Sequence, residues 1–368
     1  MSDRVFNFAA GPGTLPVSVL QQAQRDLVVL PGVGASPLEV SHRGAWFTDV
    51  IEEAGANLRL LLGVPDDFHV LFCQGGATMQ FSMVAMNLLR GSGKTADYVV
   101  SGSWGAKAIE EAGKEGSVRL AWSGSSGGFT RVPQIEELAA ALHGDAAYAH
   151  VTSNETIQGV EYPQTPVTPE GVPLVADVSS DFLSRPIDVG RYGVLYAGAQ
   201  KNAGPAGVTV VLVRDDLLVR APEGLPTMLD YRTYVQHGSM YNTPPVFSIY
   251  VLMLVTRWLR DEVGGLDAMA ARNHEKAELL YAVLDESPAF FQGHARPESR
   301  SLMNVTFRLP DEQLERAFVT EATRGGMTEL KGHRSVGGVR ASIYNAMPIE
   351  GVRALVAFMR EFRDRHAD

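Results

Sequence analysis

The stretch VLYAGAQKNAGPAGVTVVLV, residues 194–213, decides the fold because it carries one lysine on a polar turn between two apolar runs. The runs 194–197 and 208–213 are rich in β-branched residues and are bounded by glycine and proline, which predicts buried strands. Between them, Lys201 has Ala, Gln, Asn and Gly as neighbours and no charged residue. In a partly dry pocket such an amine has a lowered pKa and attacks carbonyls, whereas a solvated loop lysine is the ordinary alternative.

Strand and helix patterns alternate on the amino-terminal side of this stretch. Strands are predicted at 68–73, 96–101, 118–122, 147–152 and 173–178, with helices at 78–89, 105–113 and 133–142. This alternation predicts an α/β fold in which helices flank a large, mainly parallel mixed sheet that binds ligands at the carboxyl ends of its strands. Thr156, Asp177 and Lys201 each lie at such a strand end. An aspartate there is costly to bury unless it meets a cation, and a turn aspartate is the alternative.

The 368 residues are long enough for two domains. A predicted helix at 247–263 is followed by Gly264-Gly265 and then by a helix, strand, helix, strand, helix pattern. We therefore expect a large domain at 16–263 and a smaller α+β domain at 264–368, with residues 1–15 packing nearby.

Composition excludes several classes of function. A net charge of −10 argues against a nucleic-acid or membrane-surface role, because phosphate backbones require basic stripes. Cys73 is the only cysteine, and no His, Asp or Glu spacing is typical of a metal site. The longest apolar stretch, 246–255, is too short to span a bilayer, and the amino terminus lacks a signal-peptide pattern. We expect a cytoplasmic protein.

Seven segments along the chain resemble, in the same order, motifs of the phosphoserine aminotransferase family. They are NFAAGPGTLP (7–16), SHRG (41–44), QGGATMQF (74–81), GSWGAKA (102–108), SNETIQG (153–159), AGAQKNAGPAG (197–207) and NTPP (242–245). That family belongs to the class V aminotransferases of fold type I, which use pyridoxal 5′-phosphate. The resemblance implies amino transfer from L-glutamate to 3-phosphohydroxypyruvate, giving O-phospho-L-serine and 2-oxoglutarate in serine biosynthesis. In bacteria it also implies a related step in pyridoxine biosynthesis.

The resemblance further implies a role for each matching residue in a homodimer with shared active sites. Lys201 would form the Schiff base with the cofactor, and Asp177 would keep its pyridine nitrogen protonated. Trp104 would stack on the ring, and Thr156 would bond its 3-oxygen. The cofactor phosphate would be held by Ala77, Thr78 and Gln200, with Asn242 and Thr243 from the partner chain. The substrate would be bound by Arg340 at its α-carboxylate and, at its distal anion, by His42, Arg43, His333 and Arg334, with Arg43 partly contributed across the dimer.

Each residue also has an ordinary structural alternative. Trp104 could be a core anchor, Thr243 before Pro244 is typical of a helix cap, and His42-Arg43 could be a solvated turn. GSGKT at 91–95 lacks the first glycine of a phosphate-binding P-loop and follows a helix, so we interpret it as a loop. For function, the alternatives are another class V enzyme, such as a serine– or alanine–glyoxylate transaminase, or an idle binding module. The basic pair His333-Arg334 favours an anionic substrate.

Overall fold

The computed structural model describes residues 4–366, which form an α/β fold around a seven-stranded sheet. The strands within that range are β1 (Phe6–Asn7), β2 (Phe68–Cys73), β3 (Thr95–Val100), β4 (Ser117–Ser123), β5 (Ala149–Thr152), β6 (Asn154–Glu155), β7 (Val160–Glu161), β8 (Leu174–Asp177), β9 (Val194–Gly198), β10 (Thr209–Arg214), β11 (Gln292–Gly293), β12 (Asn304–Arg308), β13 (Met327–Thr328) and β14 (Val339–Ser342). The α-helices are α1 (Val17–Asp26), α2 (Ala45–Leu62), α3 (Gly76–Leu88), α4 (Ser103–Ala112), α5 (Ile135–Ala141), α6 (Asp215–Leu218), α7 (Tyr231–Gln236), α8 (Val246–Arg257), α9 (Leu266–Glu286), α10 (Glu312–Arg324) and α11 (Ile349–His366).

The order of strands in the large sheet is β2-β10-β9-β8-β5-β3-β4. β10 runs antiparallel to both of its neighbours, because the tight turn after β9 returns the chain directly alongside that strand. The remaining pairs are parallel, which confirms the predicted mainly parallel sheet. Since β10 alone is reversed, the carboxyl ends of the other six strands meet at one edge, where such sheets bind ligands.

Helices cover both faces of this sheet, because the central strands β5, β8, β9 and β10 are buried on both sides. One core joins α2 and α8 to one face, with Phe47, Val50 and Leu58 of α2 fully or almost fully buried. A second core fills the opposite face under α3 and α4 and contains Cys73, whose thiol is buried. The sheet is therefore a rigid central layer, and the loops at its carboxyl edge are held in place from both sides.

A third core lies in the carboxyl-terminal part of the chain. The antiparallel strands β11, β12 and β14 pack with α9, α10 and α11 around a cluster of phenylalanines. Phe8 joins this core, and β1 pairs in parallel with β13. The division into 16–263 and 264–368, with residues 1–15 packing nearby, stays a prediction, and Leu266 and Met269 of α9 pack into the first core.

Two expectations about local structure are wrong. The sequence of 222–242 predicts an irregular segment, but it contains α7, whose Tyr231 and Tyr234 are buried against the sheet. Thr243 does not cap a helix, because α8 begins at Val246 after Pro245, and no side chain in residues 4–366 caps it. The two prolines postpone the helical turn by their restricted backbone and missing N–H groups. Among the helices of residues 4–366, none combines the length and apolarity needed to cross a bilayer.

Candidate active site

A cavity of about 550 Å³ opens at the carboxyl edge of the large sheet. Its walls come from the segments that follow β2, β3, β5 and β9, from the amino-terminal segment, and from β14 with the loop that precedes it. The lining residues are Ala10, Gly11, Pro12, Gly75, Gly76, Trp104, Thr156, Ile157, Gln200, Lys201, Ala206, Gly207, His333 and Arg340. Six of the predicted site residues therefore meet in one space: Trp104, Thr156, Gln200, Lys201, His333 and Arg340.

Lys201 lies on the turn after β9 with its amine 5.6 Å from the centre of the Trp104 ring. The amino-terminal segment covers this turn, because Gly13 donates its N–H to the carbonyl oxygen of Gln200 at 2.7 Å. A side chain on Gly13 would meet the Lys201 carbonyl oxygen at 2.8 Å, so only glycine allows this approach. Burial lowers the pKa of the Lys201 amine, and the nearby Asp177 carboxylate opposes that shift. The amine is thus poised as a nucleophile and proton carrier.

Asp177 is the last residue of β8 and is buried. Its Oδ1 accepts hydrogen bonds from the backbone N–H and the hydroxyl of Ser179, at 2.9 and 2.6 Å. Both hydrogen bonds found for this carboxylate among residues 4–366 go to Oδ1, which leaves Oδ2 available to a ligand. Burial raises the pKa of Asp177, and the Lys201 amine opposes the rise. A buried acid of this kind is suited to a cationic partner.

Trp104 and Thr156 are joined side chain to side chain. The indole N–H of Trp104 donates to the Thr156 hydroxyl oxygen at 2.8 Å. The carbonyl oxygen of Thr156 in turn accepts from Nη1 of Arg340 at 3.0 Å. One threonine therefore connects the aromatic wall of the cavity to the guanidinium that enters it from β14.

The amino-terminal end of α3 is open towards the cavity. Gly75 and Gly76 line the space, and both have positive φ values, which glycine adopts without strain. Within residues 4–366 no side chain caps this helix. Its first-turn N–H groups, which include those of Ala77 and Thr78, and the positive end of the helix dipole are therefore suited to an anion.

The structure does not bring all of the predicted basic residues into the cavity of a single chain. His333 lines it, and burial together with Arg340, Arg334 and Lys107 lowers the pKa of its imidazole. Arg334 is exposed and follows His333 directly in the sequence. His42 and Arg43 do not line the cavity, and Nε of Arg43 donates to Nε2 of His42 at 3.4 Å. Asn242 and Thr243 are also exposed and lie outside the lining. Their assigned roles remain predictions.

The sequence analysis missed several residues that shape this site. Glu155 is fully buried and accepts the backbone N–H groups of Trp104 and Gly105. Burial raises its pKa to about 7. Ser179 orients Asp177, and residues 10–12 form one wall. The GPG sequence at 11–13 was a visible signal of close backbone approach, whereas the partner of Glu155 lies 50 residues away and left no local pattern.

No group of three or more His, Cys, Asp or Glu side chains in the described part of the chain could hold a metal ion. The reactive groups are instead the Lys201 amine and the Trp104 ring, which line the cavity, and the buried Asp177 carboxylate, which is close enough to the amine to shift its pKa. This set suits an organic cofactor that carries a carbonyl, a ring nitrogen and an anionic group.

Comparisons with known proteins agree with this geometry. Residues 5–355 match the family model described as aminotransferase class-V. The phosphoserine aminotransferase of Rhodopirellula baltica is 53% identical over 99% of this chain and 96% of its own length. The structure of phosphoserine aminotransferase from Bacillus circulans subsp. alkalophilus superposes with a TM-score of 0.96 at 49% identity, covering 100% of both chains. A PLP-bound phosphoserine aminotransferase from Trichomonas vaginalis is 40% identical with a TM-score of 0.89, covering 97% of this chain and 100% of its own.

Proposed function

The chain belongs to the class-V aminotransferases, and on that premise we propose that it is a phosphoserine transaminase. It moves an amino group between L-glutamate and 3-phosphohydroxypyruvate and gives O-phospho-L-serine and 2-oxoglutarate, as in serine biosynthesis. The observation that carries this conclusion is identity above 50% over nearly the whole chain to proteins of that activity, combined with the lysine-containing cavity.

The residues around the cavity fit pyridoxal 5′-phosphate. The open end of α3 and Gln200 suit its phosphate, Trp104 its ring face, and Thr156 its 3-oxygen. Asp177 suits its ring nitrogen, because a protonated pyridine is the cation that such a buried carboxylate requires. When bound, this cofactor supplies a carbonyl for amine exchange and a ring that accepts electron density from the substrate carbon.

Lys201 is the group that we assign to proton transfer. Its amine lies on a turn that the amino-terminal segment holds in place, and its lowered pKa increases the neutral fraction near physiological pH. A neutral amine at this position accepts the proton from the substrate Cα and then, as an ammonium group, donates a proton later in the amino transfer. Asp177 would hold the ring nitrogen of the bound cofactor in its protonated form, which favours electron withdrawal from the substrate.

The basic side chains account for the binding of two anionic substrates. Arg340 enters the cavity and suits the α-carboxylate that both substrates carry, since a guanidinium binds a carboxylate at two points. His333 and Arg334, with His42 and Arg43, would receive the distal anion, which is a phosphate in one substrate and a carboxylate in the other. A protein of net charge −10 requires such a local cluster to attract either of them.

We also propose that the active form is a cytoplasmic homodimer. Large apolar side chains are exposed on the surface of the single chain, among them Leu38, Met79 and Tyr241. Leu38 shares a surface pocket with Thr243, which is one of the residues assigned to the partner's cofactor phosphate. Exposed apolar surface of this kind is typical of an interface between subunits. If the host is a bacterium, the same activity on a four-carbon phosphorylated analogue would serve pyridoxine biosynthesis.

The function is tested by an assay of amino transfer from glutamate to a panel of 2-oxo acids. We expect 3-phosphohydroxypyruvate to be the preferred acceptor, because its phosphate meets the basic cluster. Equal or better transfer to glyoxylate or pyruvate would identify another class-V transaminase. Absence of transfer to any acceptor by protein saturated with pyridoxal phosphate would identify a binding module.

A further inference from the structure

The amino-terminal end of α4 is closed by side chains from a distant segment. Oε2 of Glu155 accepts the Trp104 N–H at 2.9 Å, and Oε1 accepts the Gly105 N–H at 2.8 Å. Oε1 of Gln158 accepts the Ser103 N–H at 3.3 Å, while its amide donates to the Ser103 hydroxyl at 2.7 Å. The first three N–H groups of α4 are therefore all bonded, in contrast to those of the open helix α3.

Close packing at Gly102 shows that this arrangement is tight. A Cβ on Gly102 would lie 2.5 Å from Cδ of Glu155 and 2.7 Å from Oε1 of Gln158. The residue before α4 is therefore a glycine, which has no side chain with which to cap the helix in the usual way. The cap comes from Glu155 and Gln158 instead.

This cap helps to place Trp104, because it binds the backbone N–H of that residue. Glu155 holds the Trp104 N–H, and the adjacent Thr156 accepts the indole N–H of the same residue. A residue that is held by its backbone N–H and by the far end of its side chain has little freedom to reorient. Two consecutive residues of one segment thus fix the orientation of the ring that faces the cavity.

We propose that Glu155 is a positioning residue that orients Trp104 for cofactor binding, an inference that rests on the proposed function. Glu155 does not line the cavity, so it acts on the cofactor through Trp104 and not by contact. Its two oxygens meet two N–H donors, and only a carboxylate offers two acceptors at that spacing. An amide at this position would turn one NH₂ group towards a backbone N–H.

The test compares Glu155→Gln with the matched control Glu161→Gln. Glu161 is also buried, and its Oε2 accepts the backbone N–H of Leu302 at 2.7 Å, but it has no hydrogen bond to α4. Hydrogen exchange of the amides of residues 103–105 is measured first in protein without cofactor. The affinity for pyridoxal phosphate and the visible circular dichroism per bound cofactor are measured next.

We expect Glu155→Gln to speed exchange at residues 104 and 105 and to weaken cofactor binding by about tenfold or more, the cost of losing a charge-assisted hydrogen bond. The dichroism of the bound cofactor should also change, because it reports how the ring is oriented. Glu161→Gln should leave all three readouts at wild-type values even if its melting temperature falls. Lower stability of Glu155→Gln with unchanged affinity and dichroism would overturn the proposal, because the residue would then be only structural.

A second variant covers the case in which Glu155→Gln does not fold. Gly102→Ala keeps the carboxylate but displaces it by steric contact, and it should produce the same changes in exchange, affinity and dichroism. Wild-type values for Gly102→Ala in all three would also overturn the proposal. If wild-type protein fails to bind pyridoxal phosphate, the proposed function fails, whereas the exchange measurements still report the cap.

Discussion

The indole N–H of Trp104 donates a hydrogen bond of 2.8 Å to the hydroxyl oxygen of Thr156. A threonine hydroxyl that accepts one hydrogen bond still has its own hydrogen to donate. Thr156 lines the cavity, so this hydrogen is available to an oxygen of the bound cofactor. The same hydroxyl therefore orients the Trp104 ring and offers a hydrogen bond to a ligand that stacks on that ring.

Thr156→Val should weaken the binding of pyridoxal phosphate by about tenfold or more, because it keeps the side-chain shape but leaves the indole N–H without its acceptor. Thr156→Ser, which retains the hydroxyl, is the matched control and should stay close to the wild-type affinity. Titration of cofactor-free protein with pyridoxal phosphate measures both. Equal affinities of the valine and serine variants would show that the hydroxyl does not contribute.

Lys201→Ala should lower the rate of amino transfer by about a thousandfold or more, because it removes both the nucleophile and the proton carrier. Lys94→Ala is the control, since Lys94 is exposed on the loop at 91–95 and lies outside the cavity. Circular dichroism and melting temperature verify that both variants keep the fold. Wild-type turnover by Lys201→Ala would remove this lysine from the mechanism.

The lowered pKa of Lys201 can be measured without cofactor. Only a neutral amine is acylated, so the midpoint of its pH-dependent labelling should lie below the ordinary lysine value of about 10.4. Burial is the main cause of the shift, and the Asp177 carboxylate opposes it. Asp177→Asn should therefore move the midpoint to still lower pH. Mass spectrometry of the peptide containing Lys201 gives the profile, with a lysine peptide as reference, and a midpoint raised by Asp177→Asn would contradict the electrostatic assignment.

Most of the fold could be predicted from sequence because its strands are short apolar runs closed by glycine and proline. The strand at 68–73 matches β2 residue by residue, and the strands around the lysine turn match β9 and β10 within one residue. The pairs β1–β13 and β6–β7 were missed because two-residue strands have no periodicity to detect. α7 was missed because Gly, Pro and Asn surround it, and its helical form depends on Tyr231 and Tyr234 being buried.

The site could be predicted only in part. Thr156 and Lys201, which follow strand ends, line one cavity because parallel strands bring their carboxyl ends to one edge. Contacts set by tertiary packing, such as Glu155 with α4 or Gly13 with the lysine turn, join segments that are 50 or more residues apart in the sequence. No local pattern reports them. His42, Arg43, Asn242 and Thr243 are not among the residues that line the cavity of one chain, and the roles predicted for Asn242, Thr243 and Arg43 would require a second subunit.

Arg334→Ala should reduce kcat/KM for 3-phosphohydroxypyruvate by roughly tenfold or more and leave that for pyruvate nearly unchanged, since only the former carries a distal anion. Arg316→Ala removes another exposed arginine, on α10, and serves as the control for net charge. Steady-state rates with the two acceptors give the comparison. Equal losses on both acceptors would indicate that Arg334 supports structure and not substrate choice.

Mixed dimers test whether Arg43 acts across the subunit interface. Arg43→Ala and Lys201→Ala chains should each be nearly inactive on phosphorylated substrate as homodimers. In a mixed dimer, the site that retains Lys201 would receive the intact Arg43 of the other chain, whereas the second site would lack both groups. Random exchange makes half of the dimers mixed, with one working site in each, so activity should return to roughly a quarter of the wild-type value.

If Arg43 instead serves its own subunit, no site in the mixture has both residues, and activity stays at the level of the separate variants. Size-exclusion chromatography of the two variants and their mixture verifies that all remain dimeric, so that an absence of recovery reports on Arg43 and not on assembly.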